Sequence, residues 1–141
     1  MKIIVDIDGT IADIGHRLHY LEDKDWDSFF DACVDDEPIK DVLEVISGFA
    51  IKHEIIFCTG RSDRVRRETT EWLYKHCDPH ISFDLLMRKD GDHRPDTLVK
   101  PELIKDIPKE DILVILEDRS SVVRMWRKLG YRCFQVANGD F

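Results

Sequence analysis

A chain of 141 residues with 43% hydrophobic and 35% charged side chains has the composition of one ordinary globular domain, and no apolar run approaches the roughly 18 residues of a membrane span. Its net charge of -8 argues against non-specific binding along duplex nucleic acid, which needs a basic face, while leaving room for a locally basic site. The four cysteines, Cys33, Cys58, Cys77 and Cys133, show neither a Cys-x-x-Cys pair nor a zinc-like spacing with histidine, so they read as core thiols in a reducing cytosol.

Lys2-Ile3-Ile4-Val5 is a β-branched run suited to a buried strand, and it leads into Asp6-Ile7-Asp8-Gly9-Thr10, where Gly9 permits a sharp turn. Residues two apart on an extended backbone point to one side, so Asp6 and Asp8 face one small volume and need a cation or a shared proton to coexist there. A signal peptide is not expected, because this loop begins at residue 6. From about Asp13 to Glu37 the chain is polar, aromatic and acidic. Arg17 is here either a contact for a bound anion or an exposed helix-start arginine, and Trp26, Phe29, Phe30 and Cys33 recur at helical spacing, predicting a short helix packed onto the domain.

Pro38 is expected to open a helix carrying Ile39, Val42, Leu43, Ile46, Phe49 and Ala50 as one apolar stripe, ending near Lys52-His53. Glu54 to Cys58 reads as a second buried strand stopping in a turn, Thr59-Gly60-Arg61-Ser62, ahead of a helix from about Asp63 to His76. A strand end feeding a helix N-terminus favours an anion. Arg64, Arg66 and Arg67 on the first turns are a solvated face, or cations that join Arg61 against a polyanionic substrate. Asp84 to Arg88 predicts a short strand, Lys89 to Pro95 a polar turn, and Lys100 the start of a helix through Leu103 and Ile104, as a site cation or a surface lysine. Asp111 to Leu116 is the clearest buried strand and delivers Glu117-Asp118-Arg119. Ser120 to Leu129 predicts a helix stopped by Gly130, with Val122, Val123, Met125, Trp126 and Leu129 apolar, Arg132 to Val136 a last strand, and Asn138-Gly139-Asp140-Phe141 the close.

Strands alternating with helices predict a parallel sheet between helix layers, with ligands beyond the strands' carboxyl ends. Asp6, Asp8, Asp118 and Glu117 as anions, Lys100 and Arg61 as cations and Thr59 as a hydroxyl gather at that edge, a site for a metal and a phosphate. Oxygen ligands suit Mg²⁺. A carboxylate beside a magnesium-bound phosphate can attack phosphorus in line while a second one moves protons.

Asp6-Ile7-Asp8-Gly9-Thr10, Thr59-Gly60-Arg61, Lys100 and Glu117-Asp118 resemble the four ordered motifs of the haloacid dehalogenase-like phosphatases. Within that superfamily the chain from residue 2 to its end is most similar to the 3'-phosphatase domain of the bacteriophage polynucleotide kinase/phosphatase, down to Asp118-Arg119, Met125-Trp126-Arg127 and Gly139-Asp140-Phe141. The resemblance implies a three-layer Rossmann-like α/β fold over residues 1–141, with a small helical insert at about 13–37 and no large cap. It implies Asp6 as the nucleophile, Asp8 as general acid/base, and Mg²⁺ held by Asp6, Asp118 and the backbone carbonyl of Asp8. Thr59 and Lys100 match the phosphate-binding hydroxyl and lysine, Arg17 and Arg61 two arginines near the substrate, and Asp96 an acidic residue that supports the site. Glu117 stands where the family usually has a second aspartate, as a longer-reaching ligand or a support for one, and the segment from Leu18 to Glu37 departs from the family.

The expected function is a cytoplasmic, Mg²⁺-dependent phosphomonoesterase in nucleic-acid repair that removes 3'-phosphates from polynucleotide ends or nucleoside 3'-phosphates. The alternatives are a nucleotidase for mononucleotides and a non-enzymatic magnesium or nucleotide-binding module. No GxxxxGK[ST] motif occurs, so kinase activity is not expected of this chain, and a separate kinase or ligase is the implied partner.

Overall fold

The computed structural model describes residues 1–140; Phe141, at the end of the closing segment, lies outside the described residues. In chain order the elements are β1 (Lys2–Val5), β2 (Ala12–Asp13), α1 (His19–Glu22), α2 (Trp26–Asp31), β3 (Glu37–Pro38), α3 (Lys40–Ala50) and β4 (Glu54–Ser62). They continue with α4 (Arg66–His76), β5 (Phe83–Arg88), α5 (Asp96–Leu103), β6 (Ile112–Glu117), α6 (Ser120–Lys128) and β7 (Cys133–Gln135). The main sheet runs β5-β4-β1-β6-β7, every pair parallel, with β1 at its centre. β2 and β3 form a separate antiparallel pair through Ala12 with Pro38 and Asp13 with Glu37.

Both faces of the central strands are covered, which is why those strands read as unbroken apolar runs rather than alternating ones. On one face Ile3, Val5, Ile55 and Phe57 pack with Leu43 and Ile46 of α3 and Trp72 and Leu73 of α4. On the other, Ile4, Ile56 and Ile115 meet Ile104 beyond α5 and Val122, Val123 and Trp126 of α6. Full burial of each such side chain contributes about 1.5–3 kcal/mol, so the three strands that carry the site are also the best-anchored part of the fold.

The local differences from the sequence reading have simple causes. Pro38 does not open α3: it pairs in β3, and the helix starts at Lys40 after Ile39. Thr59 to Ser62 is not a turn but the continuation of β4, with an irregularity between Thr59 and Ser62 that lets the strand bend at the site. Lys100 lies well inside α5, not at its start, because the helix begins at Asp96 directly after Pro95. Leu129 is half-exposed beyond the end of α6, where Gly130 at φ +87° turns the chain. In the insert Phe29 and Cys33 are buried as expected, but Trp26 is 49% exposed.

Candidate active site

Beyond β1 the Asp6 N–H still donates to the Leu116 carbonyl at 3.0 Å, so Asp6 is held in the sheet ladder, after which the chain winds into a tight turn. The N–H groups of Thr10, Ile11 and Ala12 all converge on the Ile7 carbonyl, and Gly9 adopts φ +82°. A Cβ at Gly9 would collide with the Asp118 carboxylate, so a glycine is needed here for close approach as well as for the backbone angle.

Two charge clusters meet at this turn. In the first, Lys100 Nζ reaches from α5 to Asp6 Oδ1 at 2.7 Å and to Glu117 Oε2 at 2.6 Å, all three residues being buried. Thr10 Oγ1 donates to Asp6 Oδ2 at 3.0 Å and lies 3.4 Å from Asp118 Oδ1. Asp6, Glu117 and Asp118 each offer an oxygen within 4.8 Å of the other two. Three buried carboxylates therefore face one ammonium, and the cluster is short of positive charge. Burial, reinforced by Glu117, pushes Asp6 up to about 7, and burial with the neighbouring Asp6 pushes Asp118 up to about 6. Glu117 is also raised by burial; Lys100 is held well above its usual value, since the attraction of Asp6 and Glu117 outweighs its own desolvation. An all-oxygen donor set deficient in positive charge fits a hard divalent cation such as Mg²⁺.

The second cluster surrounds Asp8. Arg17 Nη2 donates to Asp8 Oδ1 at 2.7 Å, and Arg61 reaches the same oxygen through Nε at 2.9 Å and Nη2 at 2.7 Å. Behind them lies Asp36, buried, which accepts Arg17 Nε and Nη2 at 2.8 and 2.7 Å and Arg61 Nη2 at 2.9 Å, with His16 Nε2 2.6 Å away. Two guanidiniums thus balance two carboxylates. Although burial alone would raise it, Arg61 and Arg17 hold the Asp8 carboxyl below its usual range. Every arginine contact falls on Oδ1, which leaves Oδ2 to exchange a proton with a ligand.

Both arginines are fully buried, so Arg17 is no exposed helix-start residue, and the geometry directs both guanidiniums at Asp8 and Asp36 rather than into the open cleft. Lys100, 2% exposed, is not a surface lysine. Thr59 is buried at the cleft floor, its Oγ1 accepting the Arg61 N–H at 3.1 Å. The Asp96 carboxylate pairs with Arg88, lies 3.7 Å from Arg119 and presses on Gly60, where a Cβ would overlap it. Arg64, Arg66 and Arg67 form a largely solvated face bound to Asp31, the Leu85 carbonyl and Glu71. Only Arg64 of the three lines the cleft.

The sequence reading assigned no role to three residues of this arrangement. Asp36 sits in the run Asp35-Asp36-Glu37 with nothing to mark which acid turns inward. Arg88, at the end of a predicted strand, clamps the carbonyls of Gly60, Asp92 and Arg94 and so shapes the polar loop. Thr10, directly after Asp-Gly, is the one with a readable signal. Asp6, Asp8, Thr59, Lys100, Glu117 and Asp118 line a cleft of about 480 Å³, with an apolar wall from the insert and a polar wall from the loop before α5.

A parallel sheet in this order, with acidic residues at the ends of β1 and β6, a hydroxyl at the end of β4 and a lysine from α5, defines a haloacid dehalogenase-like hydrolase. The magnesium-bound putative hydrolase YfnB of Bacillus subtilis shares that fold, with a TM-score of 0.66 at 11% identity over 97% of this chain and 92% of its own. More narrowly, the chain belongs to the polynucleotide kinase PNKP phosphatase domain family, whose model matches residues 1–141, and it is a phosphatase of that family. A putative bifunctional polynucleotide kinase/RNA ligase of Autographa californica nuclear polyhedrosis virus is 31% identical over 131 residues, 90% of this chain and 18% of the viral protein. A chain of the Pnkp1/Rnl/Hen1 RNA repair complex is 32% identical with a TM-score of 0.83, over 99% of this chain and 43% of that one. This chain therefore spans less than half the length of these relatives. No helix among the described residues is long and apolar enough to cross a membrane.

Proposed function

We propose that the chain removes 3'-phosphates from polynucleotide ends, or from nucleoside 3'-phosphates, as a Mg²⁺-dependent phosphomonoesterase working through an aspartyl-phosphate on Asp6. The observation that carries this reading is the contrast between two carboxylates two residues apart: Asp6 in a cation-hungry oxygen cluster beside Lys100, Asp8 locked by two arginines with one oxygen free.

An Asp6 oxygen attacks phosphorus as the bond to the leaving oxygen breaks, and Asp8 Oδ2 delivers a proton to that oxygen. Lys100 and the Thr59 hydroxyl hold the phosphoryl oxygens as charge shifts. Water then attacks phosphorus, its proton passes to Asp8, and Asp6 is released. Mg²⁺ would be held by Asp6, Asp118 and the Asp8 backbone carbonyl with Glu117 alongside, and would supply charge neutralisation for the approach of the anionic phosphate. Arg17 and Arg61 act on the substrate by orienting Asp8, and Asp96 by steadying Arg88 and the cleft rim. The relatives' names, a kinase/RNA ligase and an RNA repair complex, support a kinase or ligase as the partner activity.

The net charge of -8 favours the competing reading, a nucleotidase for mononucleotides. A panel of a 3'-phosphorylated oligonucleotide, its 5'-phosphorylated counterpart and the 3'- and 5'-mononucleotides separates the two. Faster turnover of the 3'-phosphorylated oligomer is the expected result, and indifference to the polymer would sink the polynucleotide reading. Asp6→Asn should abolish turnover; activity surviving that change would exclude the aspartyl-phosphate.

A further inference from the structure

Helix α2 divides its aromatic residues. Phe29 is buried and carries the Arg17 guanidinium 4.3 Å over its ring, while its carbonyl accepts Arg17 Nη1 at 3.2 Å. From the other side Arg64 grips Asp31 at 2.9 Å and the Asp27 carbonyl at 3.3 Å. One of the arginines that bolt the helix down is the same one that fixes Asp8, so α2 is held in register with the reacting atoms. Trp26, by contrast, leaves 49% of its surface exposed, with its ring 6.1 Å from Phe29 and 6.2 Å from Phe30. Trp26 and Phe30, with Leu18 and Leu21, form the apolar wall of the cleft whose floor holds Asp6 and Lys100.

An indole on a helix secured at both ends that still leaves half its surface in water is only partly used by the fold. It offers a flat apolar face in the same cleft as the phosphate site. The complementary ligand has a phosphoryl group at one end and a planar ring at the other. We propose that the Trp26–Phe30 wall is a seat for the nucleobase of the nucleotide that bears the scissile phosphate, taken as an unpaired, stacked base. This rests on the phosphatase reading above and sharpens it: the enzyme reads a nucleotide end, not a bare phosphate ester, and it reads it without base-specific hydrogen bonds, since stacking tolerates any base.

The test compares kcat/KM on two 3'-phosphorylated single-stranded oligonucleotides, identical except that the terminal nucleotide of one is abasic. The wild type is expected to favour the base-bearing end by about 5- to 150-fold, the range stacking of one base supplies. In Trp26→Ala that ratio collapses towards one, through KM, and in Trp26→Phe a good part of it returns. A direct readout accompanies it: Trp72 and Trp126 are buried, so quenching of tryptophan emission when Asp6→Asn protein is titrated with the base-bearing oligomer reports on Trp26, and the abasic oligomer should leave emission nearly unchanged. Equal kcat/KM for both ends, or a ratio unmoved in Trp26→Ala, overturns the base seat and leaves the phosphatase reading standing. Failure of the wild type on every 3'-phosphorylated oligomer, with mononucleotides still hydrolysed, overturns the polynucleotide reading instead; the mononucleotide's KM in Trp26→Ala then decides the seat, an unchanged value overturning it.

Discussion

Asp36→Asn removes one of two negative charges from a buried set of four without removing volume. In the native protein two guanidiniums balance Asp8 and Asp36, and Asp36 alone accepts three of their hydrogen bonds at 2.7–2.9 Å. After the change Arg17 and Arg61, both fully buried, share the single carboxylate of Asp8 and leave one positive charge uncompensated. Breaking a buried pair in this way costs about 3–5 kcal/mol. For a chain of this length that lowers Tm by roughly 10–15 °C. Catalysis should suffer separately, because the arginines that aim Asp8 lose their own anchor; loss of proton transfer is worth about 10²–10⁴-fold. Phosphate release from a 3'-phosphorylated oligonucleotide, measured below the variant's Tm, should fall by about that factor. The initial burst with p-nitrophenyl phosphate, whose leaving group needs no proton, should fall far less. A folded Asp36→Asn protein with native kcat on the oligonucleotide would refute the reasoning.

Gly9→Ala places a methyl group against the Asp118 carboxylate at a backbone angle costing about 1–2 kcal/mol for any other residue. It should raise the Mg²⁺ concentration for half-maximal activity by at least roughly tenfold, and an unchanged requirement would contradict the role given to Asp118. Metal and pH should be linked through stability. Asp6 and Asp118 have folded values raised to about 7 and about 6, so the folded state binds their protons more tightly than the unfolded chain does; in the metal-free protein their contribution falls as pH rises from about 4 to 7. Mg²⁺ bound at this cluster should relieve that cost, and saturation to a hundred times its dissociation constant should add about 2.7 kcal/mol, on the order of 8 °C in Tm. Calorimetry with and without Mg²⁺ should show a larger gain at pH 8 than at pH 5.5; equal gains at both would count against metal binding at these carboxylates.

The layers of the fold were legible because they rest on local signals: β-branched runs for β1, β4 and β6, and 3.6-residue stripes for α3 and α6. Asp6, Thr59, Glu117 and Asp118 were legible at the sheet edge for the same reason, since each stands at or just past the end of such a run. The inward turn of Asp36 was not. It depends on the antiparallel pairing of β2 with β3, which sets the facing of a segment that has no periodic pattern of its own. The fate of Arg17 was hidden with it, because only a buried partner from elsewhere in the chain makes a fully buried arginine affordable. Trp26 is the converse case. Spacing predicted a short helix packed through Trp26, Phe29, Phe30 and Cys33, and the structure buries Phe29 and Cys33 but leaves Trp26 half-exposed.

The two site carboxylates are shifted in opposite directions, and a literal reading of those shifts would make Asp6 the acid and Asp8 the base. The origins of the shifts argue otherwise. The arginines that depress Asp8 are permanent parts of the fold, whereas Asp6 is raised by burial among carboxylates that have one ammonium between them; a cation at that oxygen cluster reverses the second effect and leaves the first untouched. Asp6 would then be ionised, as the proposed nucleophile must be. Asp8, held below its usual range, would on the proposed mechanism be ready to accept a proton from water in the second half of the reaction but would have to acquire one for the first. A phosphomonoester can bring it: its second pKa is about 6, and the monoanion that dominates below that value carries the proton the leaving oxygen needs. With Arg17 and Arg61 holding Oδ1, Oδ2 is the atom that receives it and passes it on. On the proposed mechanism the arginine pair thus makes Asp8 a weak base that relays a proton without holding one at rest, and the first step would belong to the monoanionic form of the substrate.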